Sequence, residues 1–115
     1  MTRFVRLASA ALMVALTFQV MAESRKVLKI AITASGQISA DGRPITIETL
    51  IPILRELAKN KGEVWYYREA PEADPHPNAM KVLEAIGDCN LPVLLSSKRD
   101  YSDYIDDKGR SVPRQ

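Results

Sequence analysis

The chain has 115 residues, 46% of them hydrophobic, with 16 Lys and Arg against 14 Asp and Glu. That length holds one domain. Arg3 and Arg6 account for the whole excess of positive charge, so the remainder is neutral and makes no electrostatic case for nucleic acid.

Residues 1–22 carry Arg3 and Arg6 ahead of the apolar run LASAALMVALTFQVMA, with Val20 and Ala22 at −3 and −1 before Glu23. This is the layout of a cleaved signal peptide, and it predicts a periplasmic location. The rival is an uncleaved inner-membrane anchor, but a spanning helix needs about 20 apolar residues. This run is shorter and contains Ser9, Thr17 and Gln19. The residue at the new N-terminus is Glu23 and not a cysteine, so lipoprotein attachment is not indicated. Cys89 is the single cysteine; an exported chain then has no internal disulfide and rests on its core. Cys89 is expected as a small buried apolar residue, with an intermolecular disulfide as the alternative.

After the polar leader ESRK, Leu28, Ile30 and Ile32 alternate with Lys29, Ala31 and Thr33, the period of a half-buried strand. Ser35-Gly36 and Asp41-Gly42 supply two tight turns around a short second strand. A helix follows, with Ile47, Leu50, Ile51, Leu54, Leu57 and Ala58 on one face and Glu48, Arg55, Glu56 and Lys59 on the other. Thr46 or Thr49 can cap it. Pro52 favours the later start at Thr49, with a loose turn over residues 46–49, because a proline is tolerated in the first turn. Asn60-Lys61-Gly62 suits a left-handed C-cap.

EVWYYRE (residues 63–69) reads as the next strand, with both faces at least partly covered. Its alternative use is a partner surface made by Trp65, Tyr66 and Tyr67. APEADPHPN (residues 70–78) has three prolines in seven residues and reads as a loop, with His76 a solvated side chain. Asn78 is the expected N-cap of a second helix running to about Cys89, with Ala79, Val82, Leu83, Ile86 and Cys89 on its apolar face. Gly87 weakens its last turn and Asn90 can cap it. LPVLLSS (residues 91–97) is a short apolar strand opened by Pro92. Residues 98–115 lack an apolar period and are expected to be a disordered polar tail, in which Tyr101, Tyr104 and Ile105 could fold onto a partner.

The predicted order is β-β-α-β-α-β, an α+β domain over residues 23–97 with a small mixed sheet. No phosphate loop, zinc spacing, nucleophile elbow or paired carboxylate motif occurs. No cofactor, metal or catalytic residue is therefore assigned, and Asp106-Asp107 reads as a solvated acidic patch.

The run KIAITASGQISADGRPITIETLIPILRELAKNKGEVWYYRE resembles the periplasmic domain of the ExbD/TolR biopolymer-transport proteins. Ile30, Ile32, Gly36, Ile38, Gly42, Ile45, Thr46, Leu50, Leu54 and Leu57 occupy matching places. NAMKVLEAI and PVLLSS follow as the family's second helix and next strand, so the resemblance covers residues 27–97 and rests on spacing and apolar pattern. Two features depart from the family. Its membrane helix carries an aspartate, whereas the N-terminal segment here has no acid, and its Tyr-Gly pair before the second helix is replaced by the proline-rich loop. The resemblance implies a sheet with two helices packed on one face. It also implies a non-enzymatic module of the cell envelope, accessory to energised transport, that binds envelope transport proteins or the cell wall. Pairing of sheet edges in a homodimer is one mode of association. The alternatives are a membrane-anchored transport subunit with an uncleaved helix, and a small exported enzyme using His76 or the Asp-rich tail.

Overall fold

A computed structural model describes residues 26–114; the expected signal peptide over residues 1–22 lies outside them. Alternation makes β1 (Val27–Ile32), in which Leu28, Ile30 and Ile32 are buried and Lys29 is exposed. The chain reverses at Ser35-Gly36, where Gly36 has φ +92° and its N–H returns to the Thr33 carbonyl at 3.0 Å. It then runs antiparallel as β2 (Ile38–Ala40). Asp41 and Gly42, at φ +50° and +83°, close a two-residue hairpin into β3 (Arg43–Ile45), as two left-handed residues in succession favour. This strand is an addition to the expected order. Pro44 fits there because β3 ends the sheet, where a missing donor costs little.

Helix α1 (Ile47–Lys59) begins earlier than expected. Thr46 is the cap: its Oγ1 accepts from the Thr49 N–H at 3.2 Å, and its carbonyl accepts from the Leu50 N–H at 2.9 Å. Pro52 therefore lies inside the helix and not in its first turn. The bond it cannot make is to the Glu48 carbonyl, and both residues are on the exposed side, where water reaches that oxygen. The helix ends as a Schellman pair, Gly62 N–H to Leu57 O at 3.0 Å and Lys61 N–H to Ala58 O at 3.1 Å, with Lys61 at φ +55°.

β4 (Glu63–Arg68) pairs in parallel with β1, from Val27 opposite Glu63 to Ile32 opposite Arg68. Helix α2 (Pro77–Asp88) follows the proline-rich loop. Its cap is His76, whose Nδ1 accepts from the Asn78 N–H at 3.1 Å, and not Asn78. Pro77 takes the first helical position, where its missing N–H has no partner to lose. Asn78 instead donates its side-chain amide to the Gly36 carbonyl at 2.8 Å, fastening the helix start to the β1–β2 turn. His76 is thus a half-buried structural residue, not a solvated one. Asn90, at φ +54°, and Leu91 close the helix on the Gly87 and Ile86 carbonyls.

β5 (Val93–Ser96) pairs in parallel with β4, giving the sheet order β3-β2-β1-β4-β5. Two crossovers that advance in one direction with one hand put their helices on the same face. In agreement, Leu50, Leu54, Leu57, Ala79, Val82 and Ile86 share one core with Leu28, Ile30, Ile32, Val64 and Tyr66. The domain is α+β with both helices on one side of a mixed sheet. Leu83 departs from its expected place in the core and is partly exposed. Cys89 is a half-buried free thiol packed against the core.

The expected disordered tail is folded. β6 (Asp103–Ile105) and β7 (Ser111–Pro113) form a separate antiparallel ribbon. Its turn is organised by Asp106, whose Oδ1 accepts from the Lys108 and Arg110 N–H groups at 2.9 Å each. Hydrogen bonds from the Arg110 and Lys108 backbone hold its carboxyl below the usual range, against a smaller opposing effect of burial. Asp106 is therefore a turn-forming residue and no part of a solvated acidic patch.

Candidate partner surface

Strand β4 lies inside the sheet, so alternation decides what its three aromatics can do. Tyr66 points into the core with Val64, only 5% exposed. It cannot share a surface with Trp65 and Tyr67, which sit half-buried at alternate positions. The expected three-residue surface is split across the two faces of the sheet.

On the face away from the helices, Trp65 is covered by the chain's own C-terminal segment. The Arg114 guanidinium stands 3.6 Å from the indole centroid and 5.6 Å from the Tyr104 ring. The same guanidinium donates from Nε to the Tyr101 carbonyl and from Nη2 to the Asp103 carbonyl, both at 2.9 Å. Lys29 Nζ lies 5.6 Å from the Trp65 centroid and 5.8 Å from that of Tyr101. The indole N–H donates to Glu63 Oε2 at 3.1 Å. Cations over aromatic faces contribute about 0.5–2 kcal/mol each, more as water is excluded. Burial, with the Asp41 carboxylate and Tyr67 adding to it, pushes the Tyr101 phenol up to about 12, so it stays neutral in ordinary conditions. Tyr101 and Tyr104, which the sequence reading placed in a mobile tail, lie beside Lys29 and Arg114 within the chain.

What pins this segment is Asp103, a carboxylate only 1% exposed. Its Oδ1 accepts from the Ser97 N–H and the Ser96 hydroxyl at 3.0 Å, and its Oδ2 accepts from the hydroxyls of Ser97 and Ser111. Burial pushes its pKa up, but the hydrogen bonds from Ser111, Ser97 and Ser96 together outweigh that and hold the carboxyl far below its ordinary value. The end of β5 is thereby stapled to both strands of the ribbon. Sequence reading missed this because the serines stand six to eight residues from the aspartate, with no period to join them, and none is unusual by itself.

The exposed apolar surface lies elsewhere. β5 ends the sheet, and on it Val93 and Leu95 are 37% and 44% exposed. The opposite end strand, β3, is short and carries Arg43 and Pro44, two devices that discourage strand addition. β5 has neither within its span. The signal was present in LPVLLSS, an apolar run that sequence reading took as wholly structural.

Among the described residues no three His, Cys, Asp or Glu side chains group as a metal site, and no helix is long and apolar enough to cross a membrane. No protein-family model matches the chain, and no curated protein is significantly similar to it.

Proposed function

We propose that this chain is a non-enzymatic interaction module of the ExbD/TolR periplasmic type, accessory to an energised envelope-transport system. The observation that carries the reading is β5, an end strand with Val93 and Leu95 partly exposed and neither a charge nor a proline within its span. A strand from a second copy or from another envelope protein can extend the sheet there, taking a few main-chain hydrogen bonds along the edge and side-chain contacts at Val93 and Leu95. The one-sided helix layer is the one the family resemblance implies, and the element order agrees with it apart from β3 and the C-terminal ribbon. The proposal includes export with removal of residues 1–22; the alternative keeps them as an inner-membrane anchor.

Two experiments test it. A photocrosslinking residue in place of Leu95 should give adducts with an envelope transport protein or a second copy. The same residue in place of Arg55, on the exposed side of α1, should not. Equal labelling at the two positions would remove the β5 reading. N-terminal sequencing of protein recovered from the envelope should begin at Glu23; a start at Met1 or Thr2 in the inner membrane would replace cleavage by anchoring.

A further inference from the structure

The helix-side surface beside β5 contains a feature that strand addition does not use. A groove of about 360 Å³ is bounded by Tyr66, Arg68, Pro71, Leu83, Leu95 and Ile105. That is near the lower limit of the size range for small-molecule sites. Its walls are mostly apolar, and Leu83 and Leu95 are partly exposed at it.

Two polar groups in it are unusual. The Tyr66 hydroxyl is buried and has no hydrogen-bond partner among the described residues. A buried donor without a partner is uncommon in a folded chain and is unfavourable, so a phenylalanine would serve the core at lower cost. Arg68 has no carboxylate partner among the described residues; its Nη2 holds the Pro71 and Ala73 carbonyls, leaving the donors on Nε and Nη1. Tyr66 and Arg68 line the same groove, and burial raises the Tyr66 pKa while the Arg68 charge opposes it. The Ser96 and Ser97 hydroxyls at the same groove are already committed to Asp103. What remains is one hydroxyl donor and one guanidinium beside an apolar trough, and both call for an acceptor carrying negative charge.

We propose that this groove binds an amphipathic monoanion, a free medium-chain carboxylate, with its head on the Tyr66 hydroxyl and Arg68 and its chain along Leu83, Leu95 and Ile105. The carboxylate supplies the missing acceptor and neutralises the guanidinium. The chain covers the leucines that α2 leaves in water. The site shares Leu95 with the partner-binding role proposed for β5, but its polar anchors, Tyr66 and Arg68, are not used in strand addition, so either proposal can fail alone.

The test is a titration of the full chain with decanoate below its micelle concentration, followed by amide and methyl NMR shifts, with decanol as the uncharged control. Saturable shifts should centre on Tyr66, Arg68, Leu83, Leu95 and Ile105, and decanol should bind at least about tenfold more weakly, as loss of a charged hydrogen bond implies. Tyr66→Phe should weaken decanoate about tenfold, leave decanol unchanged, and leave folding stability equal or higher. Leu83→Gln, at a partly exposed position, should weaken both probes. Equal affinity for decanoate and decanol, indifference to Tyr66→Phe, or no saturable shift would each overturn the proposal. Shifts seen only with anionic vesicles would overturn it in favour of a membrane surface, and decanoate excluded by residues 1–25 would identify the chain's own segment as the occupant instead.

Discussion

Replacing Asp103 by Ala should release the C-terminal ribbon while the five-stranded sheet stays folded. The carboxylate receives four donors, from the Ser96, Ser97 and Ser111 hydroxyls and the Ser97 N–H. Hydrogen bonds to a charged group contribute about 1.5–3 kcal/mol each when deleted singly, but bonds sharing one acceptor do not add. The freed hydroxyls can turn to other acceptors, so a loss of about 2–4 kcal/mol in ribbon docking is expected. The buried core cluster ends at Leu91 and contains no ribbon residue, so the loss falls on local opening more than on global unfolding. Hydrogen exchange measures it directly. The amides of Asp106 and Arg114, bonded to the Arg110 and Ser102 carbonyls, should exchange about 30- to 1,000-fold faster, and those of β1 should not change. Trp65 would lose its Arg114 cover, which fluorescence reports as a shift to longer wavelength. Asp103 is held below its unfolded-state pKa, so its contribution is full above that value, near about pH 4, and is lost as pH falls through the folded value. The wild type should therefore release Trp65 in acid before the core melts. Unchanged exchange in Asp103→Ala, within about 0.5 kcal/mol, would refute the stapling argument.

Leu54 is fully buried at the centre of the α1 face, and Leu54→Ala should cost about 2–5 kcal/mol in chemical denaturation; a loss under about 0.5 kcal/mol would place the helix elsewhere. Gly36→Ala puts a methyl 2.4 Å from the His76 ring at a φ of +92°. It should cost about 1–3 kcal/mol and shift the His76 ring and Asn78 amide resonances together; a change without those shifts would separate the turn from the α2 cap. No Asp, Glu, Lys, Arg or His stands between Leu7 and Ala22, so nothing there can titrate inside a bilayer. The chain should accordingly fail to restore energy-dependent uptake in a strain lacking a full ExbD/TolR subunit, and restored uptake would overturn the binding-only proposal.

The parts of the fold legible in the sequence were those set by a repeating period. Leu28, Ile30 and Ile32 at period two, and Leu50, Leu54 and Leu57 on one helical face, fix β1 and α1 through burial alone. Local chemistry was legible where one residue type is strongly preferred, as at Asp41-Gly42. It failed where two residues competed for a role. Asn78 is the better cap by propensity, yet Pro77 needs the first helical position and moves the cap to His76. Pro52 argued for a late start to α1, but Thr46 can satisfy the first turn and Pro52 lies where its missing bond faces water. The ribbon was illegible for a different reason. Its stability comes from Asp103 with its three serines, six to eight residues away, and from the long-range Arg114–Trp65 stack, polar contacts with no period. Composition alone therefore reads residues 98–115 as disordered, although their backbone is organised by side chains distant in sequence.

The ribbon also limits how β5 can be used. Ser96 is buried and, with Ser97, is committed to Asp103, so an incoming strand meets an open edge only over residues 93–95. At about 3.3 Å per residue that edge is near 10 Å long. An edge of this length offers few main-chain hydrogen bonds, too few to hold a partner without side-chain contacts. Those contacts have to come from Val93 and Leu95 on the strand and from Leu83 beside it, the same leucines that bound the Tyr66 groove. A docked strand and a carboxylate in the groove would then compete for Leu83 and Leu95. Release of the ribbon would have the opposite effect, freeing Ser96 and Ser97 and lengthening the edge. Adducts from a crosslinker at Leu95 should accordingly fall when decanoate is added and rise in the Asp103→Ala variant. Opposite responses would show that carboxylate binding in the groove and strand docking on β5 do not compete and that the ribbon does not limit the edge.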